Sequence, residues 1–485
     1  MDNFSKYFTE LAEGKAQTPW HGQMTLLTAA RTMLAYPEHR DRSLRFLAKL
    51  LWQMNYKGEA YRAARTLPPE ELQDCASIIK EMEDVSPKNL NTTIEIITKC
   101  NLRCPLCGGR ENGGQRDDFN QIMPLKTFQK IWSRVAERTS LAILVGQGES
   151  FLHPQIYDIL NFIRPTPVHL DTNGSINMDH DRIAHSSIST LIFSVDGVDQ
   201  RTYEKYRVGG HFQKAVENIK AAVAAKRKYG RGPVIIFKYI VFRHNEAYVQ
   251  EAARLAQELG VDRFQVNPCN FAKISAYREM VSRFVPVGKN AISRLDHVDY
   301  GLRSIVSTGD MDTPYCVTPF KNPYIQIDGT LHPCCARQGA GFGLEPITQE
   351  ELEQAACWRE EMNILNHSLD DLWQAPAQRE FRLKALKNRY AEPACESCLF
   401  PADTLGRLFD GTELESPRRP APSEDILKIK DLRIEADYAA YLLENGLTKD
   451  IEYYRESGAL SPEAEALLSG FGRPGQALPE LAAAV

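Results

Sequence analysis

Cys100, Cys104 and Cys107 stand in TKCNLRCPLCGG, a C-x3-C-x2-C run that follows an apolar, strand-like stretch. Three thiolates within eight residues can hold three corners of a cubane iron–sulfur cluster, and no fourth cysteine is near enough in sequence to fill the last. An iron left open in this way could bind a small molecule and pass it an electron, as an open zinc site differs from a closed structural one. The other reading of these thiols is a zinc knuckle or a set of buried sulfhydryls. Zinc modules bring their cysteines in two separated pairs, a pattern this run lacks.

A chain of 485 residues has room for two or three domains around such a run, and 43% hydrophobic with 25% charged residues is the composition of a globular protein. The net charge of −5 and the want of a long basic tract argue against nucleic acid as a partner. MDNFSKYFTELAEGK has no apolar core of signal-peptide length, and no later stretch reaches the length of a membrane span, which predicts a cytoplasmic protein without a membrane partner. Eleven cysteines in that compartment argue for metal ligation over disulfides. Cys75, Cys269 and Cys357 stand alone and read as small buried apolar residues.

Four stretches follow one another along the chain. Residues 1–88 carry helical periodicity (LLTAARTMLAYP, SLRFLAKLLWQMNY, PEELQDCASIIKEM) and read as an N-terminal helical domain. Residues 89–275 alternate strand and helix, with strands over TTIEIIT, LAILVG, PVHLD, TLIFSV, PVIIFKYIV and DRFQVN. The helices between them bury Phe128, Ile131, Trp132 and Val135, then Phe212, Val216, Ile219 and Val223, then Tyr248, Ala252, Leu255 and Leu259. Six βα units predict an α/β fold, a partial (β/α)6 TIM-like barrel, whose chemistry sits at the C-terminal strand ends; the cysteine run directly follows strand one. Residues 276–410 hold the remaining paired cysteines, and 411–485 read as a Pro-rich linker with a C-terminal helical tail.

With its strand context, the cysteine run resembles the signature of the radical S-adenosylmethionine (SAM) superfamily. The resemblance implies a 4Fe-4S cluster on Cys100, Cys104 and Cys107 whose fourth iron chelates SAM and, once reduced, cleaves it to methionine and a 5′-deoxyadenosyl radical. VGQGESFLHP resembles the family's Gly-Gly-Glu motif, with Gln147, Gly148 and Glu149 in its three places near the SAM ammonium. Further cofactor-binding positions at strand ends are Thr172 and Asn173 in DTNGS, Ser194 in SVDG, Arg207 for the SAM carboxylate, and Asn267 for the adenine. Each of these could instead be a turn residue bonding its own backbone.

Cys316, twelve residues, Gly329, four residues and Cys334, followed some sixty residues on by Cys395 and Cys398, resemble the twitch form of the SPASM auxiliary-cluster domain. The resemblance implies a second 4Fe-4S cluster on these four thiolates, closed and suited to electron transfer, with Cys335 as an alternative to Cys334. A hairpin over IQIDGTLHP would present Cys316 and Cys334 from opposite strands about an Asp328-Gly329 turn. Structural zinc remains the other reading of the same set.

Together these features predict a radical SAM enzyme of the oxidoreductase class, fed by an electron donor such as flavodoxin or ferredoxin. It would take a hydrogen atom from a small polar metabolite of the sugar or aminocyclitol type and complete a two-electron oxidation through the auxiliary cluster. Maturation of a peptide or protein is the alternative, and a non-catalytic iron–sulfur or zinc scaffold the remote one. His153, Asp171, Asp196 and His332 lie near the motifs as possible bases, with none assigned.

Overall fold

Runs of β-branched and aromatic residues alternate with amphipathic helices, and they assemble into one sheet in the order β7-β6-β5-β4-β3-β2-β1-β8-β9. The computed structural model describes residues 40–53, 60, 63–65, 67–83, 86–105, 107, 120–268, 283–289, 304–306, 316, 318–335, 353, 357–388 and 432–469. The strands are β1 Leu90–Ile94, β2 Thr139–Ile143, β3 Val168–Thr172, β4 Ile188–Ser194, β5 Val234–Val241, β6 Arg263–Pro268, β7 Ser304–Val306, β8 Tyr324–Ile325 and β9 Leu331–His332. Every pair is parallel except β8–β9, so the sheet is an open, partial barrel.

Among the described residues two α-helices precede the sheet, α1 Arg40–Gln53 and α2 Ala76–Glu83. Those that cover the sheet are α3 Leu125–Val135, α4 Ile156–Phe162, α5 His180–Ala184, α6 Gln200–Glu204, α7 Phe212–Tyr229 and α8 Val249–Leu259. They are followed by α9 Leu369–Gln374, α10 Pro376–Asn388, α11 Ala436–Glu444, α12 Thr448–Glu456 and α13 Pro462–Ser469. Phe128, Ile131, Trp132 and Val135 of α3, with Val216, Ile219 and Val223 of α7, share one core with Leu191 and Phe193 of β4, Phe237 of β5 and Phe264 of β6. Burying each such side chain contributes about 1.5–3 kcal/mol. Because side chains alternate along a strand, the residues between these core positions point away from the helices. Both α7 and α8 stop at a left-handed glycine, Gly230 and Gly260, the conformation that ends a helix without steric strain.

Three strands, β7, β8 and β9, join the sheet beyond the six expected. β7 extends it past β6, and β8 pairs with the free edge of β1 through Asn91 N–H to Lys321 O (2.7 Å), Thr93 N–H to Pro323 O (2.9 Å) and Glu95 N–H to Ile325 O (2.9 Å). Pro323 is accommodated there because the ladder uses only its carbonyl. The Asp328-Gly329 hairpin forms as expected, with Gly329 at φ +90 and antiparallel pairs Tyr324–His332 and Ile325–Leu331. It is therefore part of the barrel sheet and not a separate layer. Cys316 differs from expectation: it precedes β8 and is fixed by its N–H to Ala385 O on α10, because a two-residue strand is too short to reach it.

Helices α11–α13 form their own small core around Leu442, Ile451 and Tyr454. They are pinned to the segment after β5 by hydrogen bonds from Tyr454 to the Arg243 carbonyl and from Tyr248 to Asp450. Cys75 is fully buried, as expected, whereas Cys357 is exposed on a helical turn beside Glu361. Cys269, Cys395 and Cys398 lie outside the described residues, as do residues 1–39 and 411–431. No helix among the described residues is long and apolar enough to cross a membrane.

Candidate active site

β1 runs out of the sheet through Glu95 and Ile97 into the cysteine loop, which is stitched to its surroundings on three sides. Lys99 O accepts the Glu149 N–H at 2.9 Å, Val208 O accepts the Arg103 N–H at 3.0 Å, and Asn173 Nδ2 donates to Asn101 Oδ1 at 2.9 Å. Cys100, Cys104 and Cys107 gather against Leu102, Tyr206, Phe242 and Phe284. N–H groups face two of the sulfurs: Leu102 N–H (3.4 Å) and Asn173 Nδ2 (4.0 Å) at Cys100 Sγ, and Arg207 Nη1 (3.9 Å) at Cys104 Sγ. Burial pushes the Cys104 thiol up to about 11 against the pull of Arg207, so its thiolate needs a further positive partner at neutral pH.

Among the described residues no three His, Cys, Asp or Glu side chains close around a single ion. A cubane cluster spreads its thiolates wider than one ion does, and three sulfurs lining an apolar recess, with N–H donors aimed at two of them, fit that group.

Beside this loop lies Gly146-Gln147-Gly148-Glu149. A Cβ on Gly148 would sit 2.3 Å from Ile97 O, so only glycine lets these two backbones meet, and one on Gly146 would sit 2.6 Å from the Glu95 side chain. Glu95, fully buried and absent from the sequence-based set, accepts the Gln147 N–H at 3.1 Å. A lone Glu inside an apolar strand was the signal for it. Both polar ends of the Gln147 side chain are buried without a partner among the described residues, an arrangement that costs about 1–3 kcal/mol until something bonds them. This fits a polar ligand at the loop.

Glu149 is not aimed outward. Its carboxylate accepts Thr172 Oγ1 (2.9 Å), Asn173 N–H (2.8 Å) and Phe151 N–H (3.2 Å), joining the loop after β2 to the end of β3. Burial raises its pKa to about 7, and these three donors pull the other way. Thr172 thus serves the scaffold with its hydroxyl, while Asn173 holds Ser175 N–H through Oδ1 and reaches the cysteine loop through Nδ2.

Arg207, expected at a carboxylate, is locked by Asp196: Nε donates to Asp196 Oδ2 at 2.7 Å and Nη2 pairs with the same oxygen. Asp196 stands at φ +51, held there by Ile240 N–H on Oδ1 (2.6 Å) and Asn245 Nδ2 on its carbonyl (2.9 Å).

Ser194 and Asn267 lie on the face of the sheet away from the helices, since their neighbours Phe193 and Val266 enter the core. Gln265 Nε2 donates to Asn267 Oδ1 at 2.9 Å. The same face carries a chain the periodicity did not reveal: Lys238 Nζ to Asp171 Oδ2 (2.5 Å) and His169 Nε2 to Asp171 Oδ1 (3.0 Å). Burial opposes the Asp171 charge, but Lys238 and His169 outweigh it and hold the carboxyl below its usual range. His153 is structural; Nε2 donates to Met123 O at 2.8 Å, Nδ1 accepts Gln155 N–H, and burial lowers its basicity. His332 bonds Gln326 Oε1 at 3.0 Å beside the hairpin.

The second thiol set is partly described. Cys316 packs on Ala385 and Cys334 on Phe381, positions four apart on α10, so both sulfurs lie along one face of that helix. Cys335, next to Cys334 in sequence, is half-buried.

A family model for the radical SAM superfamily matches residues 94–256, and one for the SPASM iron–sulfur cluster-binding domain matches residues 316–399. The chain carries a radical SAM domain followed by a SPASM domain. These domains imply SAM and 4Fe-4S clusters as cofactors. The tungsten-containing aldehyde ferredoxin oxidoreductase cofactor-modifying protein of Pyrococcus furiosus is 27% identical over 183 residues, 36% of this chain and 50% of that protein. A probable GTP 3′,8-cyclase of Archaeoglobus fulgidus is 27% identical over 166 residues, 33% of this chain and 52% of that protein. The chain thus spans about half the length of the known relatives it matches. Among solved structures, Streptococcus suis SuiB bound to S-adenosylmethionine aligns over 73% of this chain and 83% of that one at 15% identity with a TM-score of 0.44.

Proposed function

We propose that this radical SAM enzyme performs a two-electron oxidation of a small polar metabolite, with Cys100, Cys104 and Cys107 holding the SAM-binding cluster and Cys316, Cys334, Cys395 and Cys398 holding an auxiliary one. When bound, the first cluster and SAM supply the 5′-deoxyadenosyl radical that takes a hydrogen atom from the substrate. The observation that supports oxidation is the continuity of the sheet: β1 leads into the first thiol loop, and β8, bonded to β1 at Thr93–Tyr324 and Ile94–Ile325, leads through the hairpin to Cys334. A rigid ladder of this kind fixes the distance between the two thiol sets, which an electron leaving the substrate for a second centre requires.

The chain's own residues do the positioning. Gly148 lets the loop after β2 lie on the Ile97 carbonyl, the unpartnered Gln147 amide offers a donor and an acceptor to the SAM amino acid moiety, and Glu149 keeps that loop tied to Thr172 and Asn173. Ser194 and Asn267 face the open side of the sheet, where the ribose and adenine would lie. On that side Asp171, Lys238 and His169 form a polar stripe suited to hydroxyl-bearing groups, and a relative named for acting on GTP is consistent with a small substrate.

Anaerobic reconstitution with iron, sulfide, SAM and dithionite tests this reading. 5′-Deoxyadenosine is expected from the wild type and not from Cys104→Ala. Its absence from the wild type, or undiminished output from the variant, overturns the enzyme reading. A panel of sugars, aminocyclitols and nucleotides is expected to raise output above its substrate-free level. A flat response there, with stimulation by a peptide pool, replaces the metabolite by a peptide.

A further inference from the structure

We propose that Arg207 and Asp196 act as a charge pair that sets the reduction potential of the cluster on Cys100, Cys104 and Cys107, and that Arg207 does not bind the SAM carboxylate. The inference rests on the assignment of that cluster given above. Three observations carry it. All three guanidinium nitrogens are engaged, Nε and Nη2 by Asp196 and Nη1 at 3.9 Å from Cys104 Sγ. The turn that bears Arg207 is tied to the cysteine loop by Arg103 N–H to Val208 O at 3.0 Å, so guanidinium and sulfur cannot drift apart independently. The Asp196 side chain is wholly buried and the Arg207 side chain 14% exposed, so neither charge is screened by bulk water.

Reducing a cluster adds one negative charge. A fixed cation with an N–H on a ligating sulfur favours the reduced form and raises the potential, whereas a nearby carboxylate lowers it. Arg207 and Asp196 therefore pull in opposite directions. A salt bridge that only stabilised the turn would have no such signature, and a carboxylate-binding arginine would lose SAM affinity when removed.

The test is an EPR-monitored redox titration, without SAM, of the full-length, cluster-loaded wild type, Arg207→Met and Asp196→Asn. In Arg207→Met the ratio of reduced to oxidised cluster at fixed solution potential is expected to fall at least tenfold, about 59 mV downward for one electron. Asp196→Asn is expected to move the midpoint upward. Titrating SAM against the EPR line shape is expected to change affinity less than threefold in Arg207→Met. Midpoints that stay put in both variants, or that move in the same direction, overturn the proposal. So does a tenfold loss of SAM affinity at an unaltered midpoint, which would return Arg207 to the carboxylate. Should Arg207→Met fail to load a cluster, Asp196→Asn decides by its sign: any result other than an upward shift overturns the pair. A wild type that loads no cluster on the three thiols removes the assignment beneath the proposal, an outcome distinct from a loaded protein whose variants do not respond.

Discussion

The two thiol regions are built on opposite principles. Around Cys100, Cys104 and Cys107, loops following β1, β2, β3 and β4 converge, and polar N–H groups from Leu102, Asn173 and Arg207 face sulfur. Cys316 and Cys334 instead lie along one face of a single helix against Ala385 and Phe381, at the edge of the sheet. A site assembled from many strand ends can present different groups to each part of a polar ligand, which is why parallel sheets gather chemistry there. A site pressed against one helix offers apolar shielding and suits a centre that only exchanges electrons. The contrast supports the proposed division, open chemistry in the first region and closed chemistry in the second.

The largest expected effect tests that division directly. Cys104→Ala should reduce SAM cleavage to background, whereas Cys334→Ala should keep deoxyadenosine formation and lose only turnover of substrate to oxidised product. Iron analysis of the Cys100/Cys104/Cys107 triple alanine protein should leave about four irons of about eight. Equal loss of SAM cleavage in both single variants would erase the distinction, and zinc in place of the remaining iron would turn the second region into a structural site.

A smaller effect separates the regions by backbone crowding. Gly148→Ala places a methyl 2.3 Å from the Ile97 carbonyl and 2.9 Å from that of Lys99, both rigid, and should destabilise by about 3 kcal/mol with loss of SAM affinity. Gly329→Ala meets the Asn363 side chain at 2.8 Å, which can turn aside, but it must hold φ +90; about 1–2 kcal/mol is expected, with SAM affinity unchanged. Thermal midpoints and a SAM titration read both. Comparable loss of SAM affinity in the two would show that the hairpin and the cofactor loop are not independent.

How legible each region was in the sequence follows from the length of its pattern. The six strands and the faces of α3, α7 and α8 came through because each repeats its periodicity over several residues, and the first thiols because their spacing is local. β8 was legible only as one arm of the hairpin; its pairing with β1 was not, since two residues carry no alternation and β1 is more than two hundred residues away. The Arg207–Asp196 pair was hidden for another reason: both residues were visible at a strand end, but which one the guanidinium turns to is decided by the left-handed bend at Asp196. Glu149 was placed correctly beside glycine, while its inward hydrogen bonds to Thr172 and Asn173 depend on the contact between the loop after β2 and the end of β3. The exposure of Cys357 shows the limit of reading a lone cysteine as core.

The smallest expected effect is a pH dependence that does not involve the second region. Burial lifts Glu149 from 4.5 to about 7 in the folded protein, so folding holds its proton where the unfolded chain would release it. A folded state that binds the extra proton is most stable below pH 4.5 and loses that stability as the pH rises toward about 7. Glu246, lifted to about 7 by burial among Val287, Gly288 and Tyr454, adds a slope of the same sign from the segment after β5. Glu149→Gln keeps an acceptor for Thr172 and cannot ionise, so its thermal midpoint should fall less between pH 5 and pH 8 than that of the parent. Glu246→Gln should flatten the remainder, and Cys334→Ala should leave the parent slope intact. A slope that survives both glutamine substitutions would place the titrating group elsewhere, and one that vanishes with Cys334→Ala would tie it to the hairpin edge.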